Sequence, residues 1–237
     1  MAVLICVASK KNDTPEVAVK FPRSIRRRWV ALIAVSLGLG LLAGCVRTTP
    51  LENEPLTWSP SDSLSLGVRQ NFGPPATVRF VPFEDTAENP HLIGRNVEHP
   101  TVNHITTPSG RVVPIPRQVT TSDDVGPFVS QHLQDLFGQA GYAAGGKDAK
   151  RVITGVVHKF FVVEGSLYKA TLNLSLTVSN SDGKVLWTGT VIGTSSTFGG
   201  SYRLDNYEQV LSNSILDAAD QLLHDPGFSK VLALPAK

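Results

Sequence analysis

The residues best suited to chemistry are four consecutive ones, Leu42-Ala43-Gly44-Cys45, because they present a thiol directly after small side chains. Upstream lie three consecutive arginines, Arg26 to Arg28, and then an apolar run from Val30 to Leu42 that contains no charged residue. This order of cationic, apolar and small-residue segments is the layout of a secretory signal peptide. A cysteine at the cleavage point can be acylated through its thiol before the leader is removed, which would make Cys45 a lipid-bearing N-terminus.

These four residues match the bacterial lipobox pattern, and the leader therefore resembles that of bacterial lipoproteins. A plain transmembrane anchor is the alternative, but spanning the hydrocarbon core needs about 20 apolar residues, whereas Trp29 to Gly44 supplies 16. A buried core helix is disfavoured because the residues that follow are polar and proline-bearing. We therefore predict that residues 1–44 are a signal peptide. Residues 1–20 lie far upstream for such a leader, which a start codon assigned too early would explain.

Removal of the leader changes the charge of the chain. The leader holds seven of the 22 Lys and Arg residues and two of the 20 Asp and Glu residues, so the mature chain has 15 basic and 18 acidic residues and a formal charge of −3. A mildly acidic protein lacks the basic surface that nucleic acid requires, so we predict no nucleic-acid partner. Cys6 is lost with the leader and Cys45 is acylated, so no internal disulfide is expected.

Composition divides the mature chain into two parts. Residues 45–75 are rich in serine, threonine and proline without helical or strand periodicity. They predict a lipidated N-terminus and a disordered tether with a mean reach of about 30 Å. Residues 76–237 are sufficient for a single domain with an ordinary core. Within it, five prolines between residues 85 and 121 predict a long loop, with a small hairpin at Pro108-Ser109-Gly110.

Hydrophobic periodicity predicts the elements of this domain. Apolar residues at helical spacing run from Val125 to Ala140 and from Leu204 to Leu222, which predicts two amphipathic helices. Residues 122–124 cap the first, while Asp205 and Glu208 form a capping pair at the start of the second. The predicted strands span residues 78–83, 152–163, 168–178 and 184–194. The predicted fold is α+β, a mostly antiparallel four-stranded sheet with two amphipathic helices packed on one face.

The domain carries no recognisable catalytic motif. Zinc-protease, P-loop, nucleophile-elbow and paired CxxC motifs are absent from the sequence, so we predict that the protein is not an enzyme and needs no cofactor. His91, His99 and His104 share the proline-rich loop and could hold a metal, but their spacing matches no ligand signature, and a solvated loop is favoured. His132 and His158 are interpreted as structural histidines.

The strand over residues 168–178 is the best candidate for a working surface. Its apolar residues alternate strictly with polar ones, which predicts one covered and one solvent-facing side. The polar side, together with two residues expected to be exposed nearby, forms the candidate interaction surface: Lys169, Thr171, Asn173, Ser175, Thr177, Tyr202 and Arg203. The alternative is that this side is merely solvated, since alternation alone predicts solvent exposure.

The order of these features resembles the YajG-like family of bacterial lipoproteins. The features that carry the resemblance are the lipobox, a first strand, the Ile93-Gly94 pair, the helix beginning at Val125, the alternating strand, Asp182-Gly183 with Trp187, and Asn206-Tyr207-Glu208 at the start of the last helix. The resemblance covers roughly residues 40–235. It implies an outer-membrane lipoprotein that faces the periplasm and has no known enzymatic activity. Val46 fits outer-membrane sorting, which an aspartate behind the acylated cysteine would disfavour.

Two classes of function remain open. The first is a non-enzymatic envelope lipoprotein, held at the membrane by its N-terminal lipid, that binds another envelope protein or a peptidoglycan-associated partner. Its most specific version is a regulator that resembles the lipoprotein activators of peptidoglycan synthases, although the short tether argues against it. The second is an enzyme that processes a small molecule or glycan, which the lack of recognisable paired carboxylates disfavours. The sequence indicates neither the partner nor the oligomeric state.

Overall fold

The computed structural model describes residues 50–62, 64–67, 71–98 and 104–234. The predicted signal peptide and Cys45 lie outside the described residues. The strands are β1 (Leu51–Glu54), β2 (Val78–Phe80), β3 (Glu84–Asp85), β4 (Leu92–Asn96), β5 (His104–Thr106), β6 (Val112–Pro114), β7 (Arg117–Thr121), β8 (Arg151–Glu164), β9 (Tyr168–Asn180) and β10 (Val185–Thr197). The helices are α1 (Val125–Gln139), α2 (Leu204–His224) and α3 (Pro226–Leu232).

Eight of the described strands form one mixed sheet. Its main order is β1-β7-β4-β8-β9-β10, and β2 and β3 pair with the edge of β8 that also carries β4. The long strands β8, β9 and β10 are antiparallel neighbours, whereas β1 runs parallel to β7. β5 and β6 form a separate hairpin whose turn contains Gly110 at a φ of +80°.

The predicted fold class is therefore wrong. The sequence predicts a mostly antiparallel four-stranded sheet with two helices, whereas the described residues form a mixed eight-stranded sheet and three helices. Two of the four additional strands of this sheet, β4 and β7, come from residues 85–121, which are predicted to be a long loop and also contain the separate hairpin of β5 and β6. These strands are three to five residues long. Such short strands are stabilised by pairing with other segments, so they leave no periodic pattern of their own.

The helices pack on one side of the sheet. Their apolar stripes and alternate residues of β8 and β9 share one core, which includes Phe137, Ile153, Leu174 and Ile215. α1 is followed by Gly141 at a φ of +90°, as the sequence predicts for its end. Among the described residues, no helix is both long enough and apolar enough to cross a membrane.

The predicted capping pair of the second helix does not form. α2 begins at Leu204, and its N-cap residue is Arg203, which makes no side-chain capping hydrogen bond. Glu208 instead forms hydrogen bonds with Thr57. Burial raises the pKa of Glu208, and the hydrogen bonds with Thr57 oppose that rise. Glu208 thus contacts an upstream segment of the chain instead of capping the start of α2.

That upstream segment, which composition assigns to the tether, lies against the domain wherever the structure describes it. We call the described residues between 50 and 67 the N-terminal strap. β1 extends the sheet beside β7, and the Trp58 ring stacks on His132 with centroids 4.3 Å apart. Backbone amides of the strap also donate to side chains of α2: Ser59 N to Ser212 Oγ at 3.0 Å, Ser61 N to Asn213 Oδ1 at 2.8 Å and Gly67 N to Asp220 Oδ1 at 2.7 Å. The folded unit therefore includes β1 instead of beginning at residue 76.

Replacement of Trp58 by alanine tests whether the strap contributes to stability. We expect the free energy of unfolding to fall by about 2 kcal/mol, roughly half the cost of deleting a fully buried tryptophan, because this ring is partly buried. Urea unfolding would measure the change. Leu64→Ala is the matched control, since Leu64 is an exposed strap residue and should alter stability by less than about 0.5 kcal/mol. If the strap were a disordered tether, both variants would unfold like the wild type.

The contact between Trp58 and His132 also predicts a pH dependence. Burial lowers the pKa of His132 below its ordinary value of 6.5, and Asp135, with a carboxylate oxygen 4.0 Å away, opposes that shift. The unfolded chain therefore binds this proton more readily than the folded protein does, so the contribution of His132 to stability is lost as the pH falls below 6.5.

Urea unfolding of the wild type and His132→Gln at pH 7.5 and pH 5.5 would isolate this contribution. We expect the wild type to lose more stability on acidification than the variant does. The comparison with the variant is needed because Glu208, whose pKa is raised, contributes in the opposite direction. Identical pH dependence in the two proteins would contradict the prediction.

Candidate interaction surface on the open side of the sheet

The three long strands turn one side toward the helices and leave the other uncovered within the part of the chain that the structure describes. On β9, alternate residues from Tyr168 to Val178 are buried, and those between them are exposed or half-buried. The structure thus brings five of the predicted surface residues together on one side: Lys169, Thr171, Asn173, Ser175 and Thr177. Sequence alternation correctly indicates which side of β9 faces the core.

Strand register adds neighbours that the sequence alone does not indicate. Thr171 lies between Phe161 of β8 and Thr194 of β10, and the other polar residues of β9 are flanked in the same way. We call the combined set the open sheet face, and it consists of Thr154, Val156, His158, Lys159, Phe161, Val163, Lys169, Thr171, Asn173, Ser175, Thr177, Thr188, Thr190, Ile192, Thr194 and Ser196.

The chemistry of the open sheet face is dominated by hydroxyl groups. Apolar side chains are interspersed among them, notably the half-buried Phe161 and Val163 and the half-exposed Ile192. Its charged side chains are the lysines at positions 159 and 169. A broad surface of mixed hydroxyl and apolar groups is typical of protein contacts, whereas small-molecule sites are concave and enclosed.

A row of hydrogen-bonding side chains crosses the open sheet face. The Nε2 atom of His158 lies 2.8 Å from Ser175 Oγ, and its Nδ1 atom lies 3.2 Å from Thr86 Oγ1. Ser175 Oγ in turn lies 3.4 Å from Thr190 Oγ1. The row connects the segment after β3 with β8, β9 and β10, and it holds the hydroxyl groups in a fixed arrangement.

His158 reaches this row because β8 contains a β-bulge. The register with β9 shifts between Val157 and Lys159, so that Val157 and Phe160 both face the core while the two residues between them face outward. A bulge of this kind commonly re-aims a side chain. The sequence predicts a structural role for His158. In the structure its hydrogen-bonding partners are the hydroxyl groups of Ser175 and Thr86.

A groove of about 630 Å³ opens beside the bulge. Acidic residues Asp85 and Glu88 line it together with the basic residues Arg95 and Lys159. The guanidinium of Arg95 lies 6.0 Å from the centre of the Phe161 ring. Because charges of both signs line the groove, it does not favour a ligand of one charge.

The remaining two predicted surface residues, Tyr202 and Arg203, are not part of the open sheet face. The predicted exposure of Tyr202 is wrong, because its side chain is buried: its hydroxyl donates to Gln118 O at 2.9 Å and accepts from Leu51 N at 3.0 Å. It therefore ties the connection before α2 to β1 and β7, a contact that depends on strands the sequence pattern does not show. Arg203 is exposed, but it pairs with Asp205 at 3.0 Å.

Sequence reasoning also missed a buried acidic residue at the end of β8. Glu164 is 1% exposed, and none of the described ion pairs includes it. Its Oε2 atom accepts from the Tyr207 hydroxyl at 2.6 Å, while Oε1 accepts from Tyr202 N at 2.6 Å and Ser201 Oγ at 2.9 Å. Burial, reinforced by the carboxylate, raises the pKa of Tyr207, so its phenol remains a donor. The sequence feature that could have indicated this site is a single glutamate at the end of an apolar strand.

The hydrogen-bond network around Glu164 is structural, because the carboxylate is enclosed and accepts its hydrogen bonds from groups of the protein. Within the described ranges, no group of three His, Cys, Asp or Glu side chains is arranged to hold a metal. His91 is exposed next to β4, and His99 lies outside those ranges. His104 lies in strand β5, so the loop interpretation is wrong for that residue.

Comparison with protein-family models finds no match, and comparison with curated proteins finds none either. Among solved structures, the chain is similar to a Xanthomonas campestris protein of the DUF330 family, with 12% identity and a TM-score of 0.45 over 70% of this chain and 93% of that one. It is similar to PelC from Paraburkholderia phytofirmans, crystallised as a dodecamer, with 13% identity and a TM-score of 0.39 over 71% and 96% of the two chains. Lipoprotein GNA1162 from Neisseria meningitidis shows 15% identity and a TM-score of 0.24 over 54% and 88%.

The solved structures to which the chain is similar thus include a bacterial lipoprotein. None of the three is named as YajG-like, so that narrower resemblance stays a prediction. Because these identities and TM-scores are low, the descriptions of the fold and of the candidate surface depend on the residues and contacts of this chain alone.

Proposed function

We propose that this chain is a non-enzymatic lipoprotein, anchored through acylated Cys45 on the periplasmic side of the outer membrane, whose open sheet face binds another envelope protein. The observation that carries the binding role is the uncovered side of β8, β9 and β10. These strands have 14, 13 and 13 residues. At a rise of about 3.3 Å per residue and a strand spacing of about 4.8 Å, they offer on the order of 600 Å².

An area of this size approaches one partner's share of a standard protein interface, which is about 800 Å². The open sheet face is also rigid, because its strands are paired along their length and their other side packs into the core. A rigid surface loses little conformational entropy when a partner binds. Its hydroxyl groups can exchange water for polar groups of a partner, while Phe161 and Ile192 supply apolar contact.

The position of β1 supports action close to the membrane. Leu51, where the strand begins, is the sixth residue after Cys45. A fully extended chain of that length spans at most about 20 Å. This distance is shorter than the mean reach expected for a disordered tether of thirty residues. It disfavours a regulator that must reach peptidoglycan synthases across the periplasm, and favours a partner located at the membrane.

An enzyme is the second candidate, because His158 Nε2 lies 2.8 Å from Ser175 Oγ. A serine nucleophile needs a base that is oriented by a third group, commonly a carboxylate. Here the third group is the Thr86 hydroxyl, which cannot stabilise an imidazolium as a carboxylate does. We therefore expect a fluorophosphonate probe to leave the purified protein unlabelled. Labelling that disappears in Ser175→Ala but persists in Thr177→Ala would contradict the non-enzymatic assignment.

Site-specific photo-crosslinking in living cells tests the binding role. A photo-reactive residue would replace Thr171 or Thr154 on the open sheet face and, as the control, the exposed Gln131 on α1. We expect adducts with another envelope protein from the first two positions and none from the control. Adducts from Gln131 alone, or none from any position in a protein that is correctly anchored, would contradict the proposal. Mass spectrometry of the adducts would identify the partner.

A further inference from the structure

One end of the sheet holds the point at which the chain enters the domain. β1 begins at Leu51, which lies beside Val119 in the first half of β7. The start of β7 pairs with the end of β4, and the end of β4 pairs with the end of β8. Glu164 at the end of β8 lies beside Tyr168, which also lies beside Thr197 at the end of β10. The start of β1 and the ends of β4, β8 and β10 therefore share one end of the sheet.

The loops at this end expose apolar side chains to solvent. We call them the entry-end loops, and they consist of residues 97–98, 165–167 and 198–203. Phe198 is 81% exposed, more than any other large hydrophobic residue in the described part of the chain, and Val97 is 43% exposed. Exposure of a phenylalanine to this extent is unfavourable in water, so contact with an apolar partner would stabilise it.

The loop that carries the exposed phenylalanine ring is held in place by hydrogen bonds. Gly200 O accepts from the Tyr168 hydroxyl at 2.5 Å and from Asn206 Nδ2 at 3.0 Å. Ser201 Oγ accepts from Asn96 Nδ2 at 3.1 Å. These contacts join the loop to β4, β9 and α2. Because the loop is already ordered, little conformational entropy is lost when a partner covers it.

We propose that the entry-end loops rest on the phospholipid surface of the membrane that holds the acyl chains, with the Phe198 ring inserted among the lipids. This inference rests on the proposed anchoring through Cys45. Leu51 is the sixth residue after Cys45, and its amide donates to the Tyr202 hydroxyl at 3.0 Å. An extended chain of that length spans at most about 20 Å. The acyl chains are therefore attached within a short reach of the loop that contains Tyr202.

Charge and distance favour a lipid surface as the partner of these loops. Their charged residues are Glu98 and Arg203, so the loops have no net charge and offer an apolar contact. Phenylalanine is among the residues that anchor proteins in the interfacial region of a bilayer. The other end of the 13-residue strand β10 lies about 40 Å away. With the entry-end loops on the membrane, the long strands extend away from it and present the open sheet face sideways to a partner in the same membrane.

Quenching by brominated phospholipids tests this contact. The acylated protein would be reconstituted into phosphatidylethanolamine and phosphatidylglycerol vesicles with brominated acyl chains, and a thiol-reactive fluorophore attached to Phe198→Cys. Val185→Cys is the control, since Val185 is 54% exposed and lies at the other end of β10. We expect about fivefold more quenching at position 198, because an inserted group lies about 5–10 Å into the headgroup region. The added thiol is the reactive one, since Cys6 is removed with the leader and Cys45 is acylated.

A second pair of variants tests the role of the phenylalanine itself. With the fluorophore on Val97→Cys, addition of Phe198→Ser should reduce the quenching severalfold, because this end of the sheet would lose its apolar contact with the lipids. Addition of Ile192→Ser is the matched control. It removes a 50% exposed apolar side chain from the open sheet face and should leave the quenching at position 97 unchanged.

The outcomes separate this inference from the proposed function. Equal quenching at positions 198 and 185 in the acylated protein would overturn the inference alone, as would unchanged quenching at position 97 after Phe198→Ser. A photo-reactive residue at position 198 that crosslinks in cells to a protein instead of to lipid would also overturn it. An unmodified Cys45 thiol would contradict the lipid anchor and this inference together.

Discussion

Replacement of Glu164 by alanine is expected to lower the free energy of unfolding by about 3–5 kcal/mol, mainly because buried hydrogen-bond donors lose their acceptor. The carboxylate accepts hydrogen bonds from the Tyr207 hydroxyl, Tyr202 N and Ser201 Oγ, and it is almost fully enclosed. Alanine would leave the first two of these donors buried without this acceptor. Each buried donor left unsatisfied costs about 1–3 kcal/mol.

Chemical denaturation monitored by tryptophan fluorescence would measure this effect. Glu88→Ala is the matched control, because Glu88 is an exposed carboxylate between β3 and β4, and its removal should change stability by less than about 0.5 kcal/mol. Tyr207→Phe removes one donor while leaving the carboxylate with its other two, so a loss of about 1–2 kcal/mol is expected. If Glu164→Ala were as stable as Glu88→Ala, the cluster could not be what holds the connection between β10 and α2.

Gly193→Ala is expected to cost about 3 kcal/mol, the upper end of the range for overpacking a core. Gly193 lies on the side of β10 that faces α2, where a Cβ atom would collide with the backbone carbonyl oxygen of Ser214 and lie 2.9 Å from Ala218 Cβ. Helix backbone cannot move aside as a flexible side chain can, so α2 would have to shift away from the sheet. Such a shift would also separate Asp217 Oδ2 from Thr194 N, which donates to it at 2.7 Å.

Thermal and urea unfolding would measure the loss in Gly193→Ala. Gly146→Ala makes the same chemical change where no atom lies within 4 Å of the added Cβ, and should leave stability within about 0.5 kcal/mol of the wild type. Equal unfolding midpoints for the two variants would show that α2 does not lie against β10 at this position.

The elements that sequence periodicity predicts are those whose pattern comes from a single long interface. The spacing from Val125 to Ala140 predicts α1, and the alternation from Tyr168 to Val178 predicts β9 and its buried side. The turn between β9 and β10 is predicted from Gly183, which has a φ of +81°. In each case the residues that determine the element lie within it.

The elements that escape prediction depend on partners far away in sequence. β1 and β4 have four and five residues and pair with strands far away in sequence, β7 and β8, so these short segments carry no complete period. The strap is held by backbone amides that donate to side chains of α2. Because nearly every residue has a backbone amide, the sequence does not indicate which amides make such contacts. Prolines in residues 85–121 correctly indicate interruptions, but the short strands between them become stable only within the sheet.

The candidate surface likewise contains residues that the sequence predicts and residues that it does not. Five of its residues follow from alternation on β9, whereas the flanking residues of β8 and β10 require the strand register. His158 joins them only because of a bulge. The position of Tyr202 beside a glycine- and serine-rich stretch predicts exposure, yet its hydroxyl contacts β1 and β7, two strands that the sequence pattern does not reveal.

The most direct test of lipid anchoring is the intact mass of the protein extracted with detergent from the envelope of the bacterium that makes it. The predicted result is a chain that begins at Cys45 and carries the added mass of fatty acyl groups, with that mass lost in Cys45→Ser. A chain that begins at Cys45 with an unmodified thiol, or one that retains residues 1–44, would contradict a lipid-anchored protein.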